Sequence, residues 1–262
     1  MKIRSLVAAA SVGFIFILLH GIKAESAELK VLSAFGMQSV LEDLGPKFEH
    51  AIGYKLAISF ATGGAIVKRV QGGDAADVVI TLQQGIDTLV KDDKAAAGSV
   101  TPLARAGIFV AVRKGAPKPD ISSPDALKRT LLAAKSISYV DPASGGASGI
   151  HFAKVLDRLG IASEMKPKTV FPDPKRPAEV GVVVANGAAE IGVHIIQELM
   201  PVAGIDIVGP LPGDLQDTVV FSVAIMTGTK DASAAKALVD FLRTPESAKR
   251  REALARFARA RT

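Results

Sequence analysis

The sequence predicts an α/β protein of two lobes, each a mostly parallel sheet flanked by helices, with the second lobe inserted into the first. Strands and helices alternate along the chain from residue 28 onwards, which is typical of sheets covered by helices on their faces. Two long apolar strands, beginning near Arg105 and Thr218, enclose a separate β-α-β block, and we expect the first of them, Arg105 to Arg113, to cross between the lobes. We therefore place the first lobe at residues 28–106 and 213–262 and the second at 107–212.

The start of the chain has the pattern of a secretory signal peptide, which we place at residues 1–24. Lys2 and Arg4 precede an apolar run at 6–19, and small residues follow at Ala24 and Ala27. The run is shorter than the roughly 20 apolar residues that a membrane span needs. We therefore favour cleavage after Ala24, with Ala27 as the alternative, over an uncleaved anchor. This predicts a periplasmic protein without a membrane span in its mature chain.

Composition excludes several classes of site and partner. The chain has no cysteine, which excludes thiol nucleophiles and cysteine-based zinc sites. Removing the signal, which carries three basic residues and no acid, lowers the formal charge from +6 to +3. The densest basic patch, Lys249 to Arg251 with Arg256, Arg259 and Arg261, lies in a C-terminal helix and is typical of a solvated helix face. We expect no nucleic-acid partner, no metal, no cofactor, and a monomer.

The elements of the first lobe follow from hydrophobic spacing and from residues that end helices. Val40, Leu41, Leu44 and Phe48 recur at helical intervals, and Gly53 ends that helix. The pattern predicts strands at 28–33, 55–60 and 77–80, and helices at 37–50, 65–70 and 87–91.

The same reasoning extends to the rest of the chain. Pro124 after Ser123 is favoured at the first position of a helix, and Asn186-Gly187 ends a later one. The pattern predicts strands at 105–113, 136–140, 169–171, 189–196, 205–209 and 218–226, with helices at 124–134, after the loop at 141–149, at 178–185, at 233–243 and from 244 to about 258.

Three strand-to-helix junctions are rich in small residues: Ser33–Gly36, Ala61–Gly64 and Ser144–Ser148. Such junctions present unpaired backbone N–H groups at the positive ends of helices, where anions bind. They follow strand ends, where ligands of open α/β sheets collect. The alternative is that the glycines only turn the chain and Ser148 only caps its helix. Their agreement favours an anion site between the lobes.

Four further residues are candidates for chemistry. Arg176, in a proline-braced loop, has the forked geometry that pairs with carboxylates, but the general rule that arginines are mostly exposed favours a solvent-facing loop arginine. His194 interrupts an apolar strand, and His151 lies in the first turn of the helix after the third junction. Each histidine is either structural or an acid–base group. Asp141, at the end of the preceding strand, is a third acid–base candidate.

Several segments resemble the periplasmic molybdate-binding protein family. They are Ser59-Phe-Ala-Thr-Gly-Gly64, Gly72-Gly-Asp-Ala-Ala-Asp-Val-Val-Ile80, Ser148-Gly-Ile-His-Phe-Ala-Lys154, Asn186-Gly-Ala-Ala-Glu-Ile-Gly-Val193 and Phe241-Leu-Arg-Thr-Pro-Glu-Ser-Ala248. The resemblance covers nearly all of the mature chain. It implies a two-lobe periplasmic binding fold that closes on a small anion and delivers it to an ABC permease.

The resemblance also implies a ligand site, from which this chain departs at three positions. That family binds its oxyanion with serine hydroxyls in the first two junctions and a tyrosine in a later strand, where this sequence has Gly36, Gly63 and Ile195. A tetrahedral oxyanion would lack donors, and we expect a roomier site. We therefore favour an organic carboxylate over molybdate or tungstate. The predicted ligand-binding residues are Ser33, Gly36, Met37, Thr62, Gly63, Gly64, Ser144, Ser148, Gly149 and Arg176.

A second group of segments is similar to the aconitate-isomerase branch of this fold. These are residues 111–122, the loop at 141–145 and residues 204–209. The resemblance implies a periplasmic enzyme that moves an allylic proton, with the junctions and Arg176 as clamps and His151, His194 or Asp141 as the acid–base group. Our leading prediction is an ABC-linked solute-binding protein for an organic carboxylate. The alternatives are this isomerase and true molybdate or tungstate binding.

Overall fold

The computed structural model describes residues 28–173 and 176–249. The predicted signal peptide, with cleavage at Ala24 or Ala27, and the basic patch after Lys249 lie outside these ranges. No helix within them is long and apolar enough to cross a membrane.

The described residues form eight strands and nine labelled helices. The strands are β1 (Glu28–Ala34), β2 (Lys55–Ala61), β3 (Val78–Leu82), β4 (Thr101–Arg113), β5 (Ile137–Tyr139), β6 (Ile191–Ile195), β7 (Ile205–Pro210) and β8 (Thr218–Ile225). The helices are α1 (Gln38–Ile52), α2 (Gly63–Gln71), α3 (Gln83–Lys91), α4 (Pro124–Ala133), α5 (Ala147–Arg158), α6 (Ala162–Met165), α7 (Val180–Ala185), α8 (Ile196–Leu199) and α9 (Ala232–Arg243). Residues 245–249 are also helical.

Strand β4 connects the sheet of the first lobe with the sheet of the second. The strands run in the order β2-β1-β3-β8-β4-β6-β5, with β7 also paired to β4. The first half of β4, residues 101–107, pairs with β8, whereas residues 108–113 pair with β6 and β7. This confirms the α/β fold class and the prediction that the strand ending at Arg113 crosses between lobes. The lobe boundaries at 106/107 and 212/213 stay predictions.

The sheets are mixed rather than mostly parallel. β1 pairs in parallel with β2 and β3, and β5 with β6. Every pairing of β4 and β8 is antiparallel. The reason is the path of the chain, because β4 leaves the first sheet and β8 returns beside it in the opposite direction.

The helices bury the residues that their spacing predicted. Val40, Leu41, Leu44 and Phe48 of α1 are all buried. The Phe48 ring contacts the ring of Phe241 on α9, edge to face, at a centroid distance of 5.6 Å. The helix after the last strand therefore packs against the first helix of the chain.

Two local predictions were wrong. Residues 169–171 form a single bridge, between Ile137 and Thr169, instead of a strand, because the following Pro172 has no N–H to extend the ladder. The strand predicted at 189–196 ends at Ile195, where the chain turns into α8. The short α6 was not predicted.

The first-lobe junction at Thr62–Gly64 touches the second-lobe loop at Ser144–Gly145, and we call this contact the clasp. The Gly64 N–H donates to the Gly145 carbonyl at 3.0 Å, and the Thr62 hydroxyl donates to the Ser144 carbonyl at 2.5 Å. Gly145 has a φ of +75°, which favours glycine. A Cβ on Gly64 would lie 2.8 Å from the Gly145 Cα. The lobes are therefore closed on each other with backbone in contact.

Replacing Gly64 with alanine should hold the clasp open. The added methyl group meets backbone, which cannot rotate away, at a cost of about 1–3 kcal/mol. Small-angle X-ray scattering should show a larger radius of gyration for Gly64→Ala, with unchanged circular dichroism. Gly98→Ala is the matched control, since a Cβ there meets nothing within 4 Å. Identical scattering curves for both variants and the unsubstituted protein would contradict the closed clasp.

Asp231 connects the start of α9 to Tyr54, the residue before β2. Its carboxylate accepts hydrogen bonds from the Tyr54 hydroxyl at 2.5 Å, from the Ser233 hydroxyl at 2.7 Å and from the Ala234 N–H at 2.9 Å. These bonds, that of Tyr54 first, lower the pKa of Asp231 from 3.8 to about 2. The same bond raises the pKa of Tyr54.

This shift predicts a pH-dependent contribution to stability. Because the pKa of Asp231 is lower in the folded state, its contribution is complete above about pH 4 and is lost as the pH falls toward 2. Urea denaturation between pH 5 and pH 2 should show a smaller loss of unfolding free energy for Asp231→Asn than for the unsubstituted protein. Tyr54→Phe removes the hydrogen bond that lowers the pKa of Asp231 most, and it should therefore reduce the pH dependence of the unfolding free energy in part. Parallel pH profiles for all three proteins would be the opposite result.

Candidate functional site

The three junctions meet at a cavity between the lobes, which we call the inner cavity. Its volume is about 40 Å³. The first junction contributes Phe35 and Gly36, the second Thr62 and Gly63, and the third residues 146–148. That these residues bind a ligand stays a prediction.

The start of α5 offers backbone donors at this cavity. Its N-cap is Gly146, and no side chain caps the first turn. The N–H groups of Ala147, Ser148 and Gly149 therefore have no side-chain acceptor from the cap, and the helix dipole adds positive potential there. By contrast, α2 is capped by Thr62, whose hydroxyl oxygen accepts from the Ala65 N–H at 3.3 Å. The uncapped end of α5 is thus the more available site for a carboxylate.

A hydrogen-bonded chain of three polar side chains, Ser148, His194 and Glu198, ends at the inner cavity, and we call it the proton chain. Ser148 and His194 are buried and Glu198 is partly buried. Ser148 Oγ lies 2.8 Å from His194 Nδ1, and His194 Nε2 lies 2.7 Å from Glu198 Oε2. Ser148 and His194 are each 3% exposed, the Glu198 side chain is 12% exposed, and all three line the cavity. An ionised Glu198 accepts the Nε2 proton, which leaves Nδ1 to accept from the Ser148 hydroxyl.

Local structure explains how this chain of groups forms. His194 lies on β6, paired opposite Phe109 of β4. The chain turns from β6 into α8 directly after Ile195, so Glu198 comes back beside His194. Ser148 arrives from α5, 46 positions away in sequence. Glu198 was not among the predicted site residues, because residues 189–196 were predicted as a strand with no helix after it. The spacing of four between His194 and Glu198 is the signal that could have identified it.

Apolar side chains fill the space beside Gly36 and Gly63, the two junction positions at which this chain lacks a serine hydroxyl. A Cβ at Gly36 would lie 2.4 Å from Phe221 Cζ and 2.8 Å from Ile195 Cδ1. One at Gly63 would lie 2.9 Å from Leu82 Cδ1. The expectation of a roomier site was therefore wrong, since these bulky residues fill the volume and make the wall apolar.

Several predicted ligand-binding residues do not line the inner cavity. Ser33 is buried in β1 with its hydroxyl donating to the Ala34 carbonyl, and Met37 is buried in the core. A Cβ on Gly149 would lie 1.9 Å from the Val140 oxygen, so this glycine permits close packing of α5 on β5. Gly64 and Ser144 form the clasp described above.

Arg176 and Asp141 also have local partners. The Arg176 side chain is 64% exposed and pairs with Glu179 at 3.2 Å, while the neighbouring Pro177 and Ala178 line the cavity instead. Asp141 Oδ1 accepts from the Ala143 N–H at 2.9 Å and caps the short turn there. The structure does not bring either residue to the proton chain.

A second cavity of about 380 Å³, which we call the outer cavity, adjoins the first. The two share Leu82, Ala147 and Val219 as walls. His151 lies in the outer cavity, where its Nε2 donates to the Leu215 carbonyl at 2.8 Å and its Nδ1 lies 3.5 Å from Asp217. Of the three acid–base candidates, only His194 lines the inner cavity. No group of three or more metal-binding side chains occurs in the described ranges.

Comparison with known proteins assigns the chain to a family. Residues 29–253 match the family described as bacterial extracellular solute-binding protein. The chain is 37% identical over 228 residues to an aconitate isomerase of a Pseudomonas species, with 84% of each chain covered. It is 24% identical over 227 residues to the molybdate-binding protein ModA of Escherichia coli (strain K12), covering 86% of this chain and 87% of that one.

A solved structure shows the same fold. The periplasmic molybdate-binding protein of Azotobacter vinelandii matches with a TM-score of 0.69 at 19% identity, covering 86% of this chain and 97% of that one. The two-lobe periplasmic binding fold is thereby confirmed, as are the resemblances on which it was predicted. Because the family match spans nearly all described residues, the chain belongs to the bacterial extracellular solute-binding proteins.

Proposed function

We propose that this protein binds a small organic carboxylate between its lobes and isomerises it by proton transfer through His194. The observation that carries the proposal is the hydrogen-bonded chain of Ser148, His194 and Glu198 at the wall of the inner cavity. Ser148 lies within hydrogen-bond reach of His194, which can act as the base, and His194 lies within reach of Glu198, which can orient it. This is the geometry that general acid–base catalysis requires.

The apolar wall of the inner cavity favours an organic ligand over a tetrahedral oxyanion. Phe221, Ile195 and Leu82 offer apolar contact and no donors. A buried oxyanion without donors loses about 1–3 kcal/mol for each missing hydrogen bond. A carbon skeleton, in contrast, packs well against such a wall.

The proposed reaction is an allylic proton shift, which breaks one C–H bond and forms another. A substrate carboxylate accepts hydrogen bonds from the backbone N–H groups at the start of α5. Ser148 Oγ takes the proton from carbon while its own proton passes to His194 Nδ1, and Glu198 stabilises the imidazolium. The reverse transfer returns a proton to the other end of the allylic system. The substrate keeps its composition, so no co-reactant is consumed.

The comparisons support this reaction class. The relative at 37% identity is named aconitate isomerase, and isomerisation of an unsaturated acid is the chemistry that a single titratable group can perform. Two molybdate-binding relatives are less similar, at 24% and 27% identity.

Transport is the second candidate function, and family membership favours it. In this case the protein would carry a carboxylate to an ABC permease that recognises the closed lobes, and the clasp would report closure. Under either proposal we expect a periplasmic monomer without a nucleic-acid partner. The two functions differ in whether His194 changes the ligand or only binds it.

Isomerase activity should depend on His194. The unsubstituted protein should interconvert cis- and trans-aconitate, followed as the isomer ratio by proton NMR. His194→Gln should lower kcat about 10²–10⁴-fold, the range for removing a general acid–base group. Glu198→Gln, at the positioning residue, should lower kcat and displace the pH profile of kcat. His50→Gln, at the exposed end of α1, should have no effect. Equal activity of the His194 and His50 variants would rule out the proposed role.

Ligand preference should appear in thermal unfolding. Citrate and the aconitates should raise the Tm, since a ligand at 100 times its Kd stabilises by about 2.7 kcal/mol. Molybdate, tungstate and sulfate should give no comparable shift, because the wall lacks side-chain donors at Gly36 and Gly63. Stabilisation by molybdate alone would contradict the proposal. Stabilisation by aconitate without turnover would favour transport.

A further inference from the structure

We propose that the outer cavity is a second carboxylate subsite, with Lys154 and Gln84 as its ligands, so that the natural ligand is a di- or tricarboxylate that spans both cavities. This inference rests on the proposed function, since it assumes that one carboxylate of the ligand lies in the inner cavity. It goes further because it names a second cavity and the residues that hold a second carboxylate there.

The two cavities differ in size and share part of their walls. The inner cavity, at about 40 Å³, is much the smaller of the two, so most of a ligand with several carbons has more room in the outer one. The outer cavity offers about 380 Å³ and shares Leu82, Ala147 and Val219 with the inner one. The remainder of a bound molecule would therefore extend past these three residues.

Lys154 supplies an available positive charge in the outer cavity. It lies on α5 three positions after His151, so both side chains lie on one face of the helix. In the described part of the chain, the Lys154 ammonium has neither an ion pair nor a hydrogen bond. It is exposed, and its flexible stem can follow a ligand carboxylate.

The acidic side chain near Lys154 is that of Asp217, and it has other contacts. Asp217 Oδ1 accepts from the Thr218 N–H at 2.7 Å, and Asp217 Oδ2 lies 3.5 Å from His151 Nδ1. His151 donates from Nε2 to the Leu215 carbonyl. Since neither residue contacts the Lys154 ammonium in the described part of the chain, this ammonium is left to attract an anion.

Gln84 supplies a neutral donor from the other lobe. It lies exposed in the first turn of α3, and its amide has no partner within the described ranges. The neighbouring Gln83 is unavailable, since its Nε2 donates to Asp87 and its Oε1 accepts from Ser222. A carboxylate held between Gln84 and Lys154 would join the two lobes. It would therefore stabilise the closed form in addition to the clasp.

The subsite predicts how affinity depends on the number of carboxylates. Isothermal titration calorimetry should give tighter binding for tricarballylate, a saturated tricarboxylate that cannot react, than for butyrate. Lys154→Ala should weaken tricarballylate binding about ten-fold, the low end for losing a charge-assisted contact at an exposed site, and leave butyrate binding unchanged. Gln84→Ala should weaken it less. Lys118→Ala, which removes an exposed lysine outside both cavities, should match the unsubstituted protein.

The same samples should be assayed for isomerisation of cis-aconitate, so that the two proposals can fail separately. If Lys154→Ala binds tricarballylate as tightly as the unsubstituted protein does, the subsite is wrong and the carboxylate function stands. If the unsubstituted protein binds tricarballylate no better than butyrate, the subsite is also wrong. If it binds neither acid and leaves cis-aconitate unchanged, both the subsite and the proposed function are wrong.

Discussion

The pairing of one strand, β4, with both sheets is the constraint on which the cleft depends. Its second half sets the register of β6, which places His194 opposite Phe109 and next to the turn into α8. Its first half pairs with β8, which carries Phe221 to the wall above Gly36. Because one continuous strand makes both sets of hydrogen bonds, the catalytic candidate from one lobe and the apolar wall from the other are positioned together.

The proton chain sits in surroundings where an unpaired polar group is costly. Each member has a partner, since Ser148 bonds to His194 and His194 bonds to Glu198. Burying an ionisable pair seldom improves stability over an apolar pair of similar volume, whereas removing one partner leaves an uncompensated group. A Ser–His–Glu chain at the inner cavity is therefore better explained by the proposed chemistry than by stability.

Under the proposed function, the two cavities and the clasp have separate roles in recognition. The inner cavity has backbone N–H groups, the Ser148–His194–Glu198 chain and an apolar wall, and it is small because Phe221, Ile195 and Leu82 fill it. The outer cavity is larger and is lined by a lysine. Backbone contact at Gly64 and Gly145 closes the lobes. The proposal therefore assigns reaction and selection of the ligand to different residues, although both sets include residues of α5.

The sequence by itself determined the alternation of strands and helices, the crossing strand and the three junctions, because these depend on local periodicity and on residues such as Gly53 and Pro124. Only the tertiary structure decided what surrounds each junction. The filling of space at Gly36 by Phe221, and the pairing of Ser148 with His194, join residues far apart in sequence. Such contacts follow from strand register and lobe closure, which no local pattern encodes.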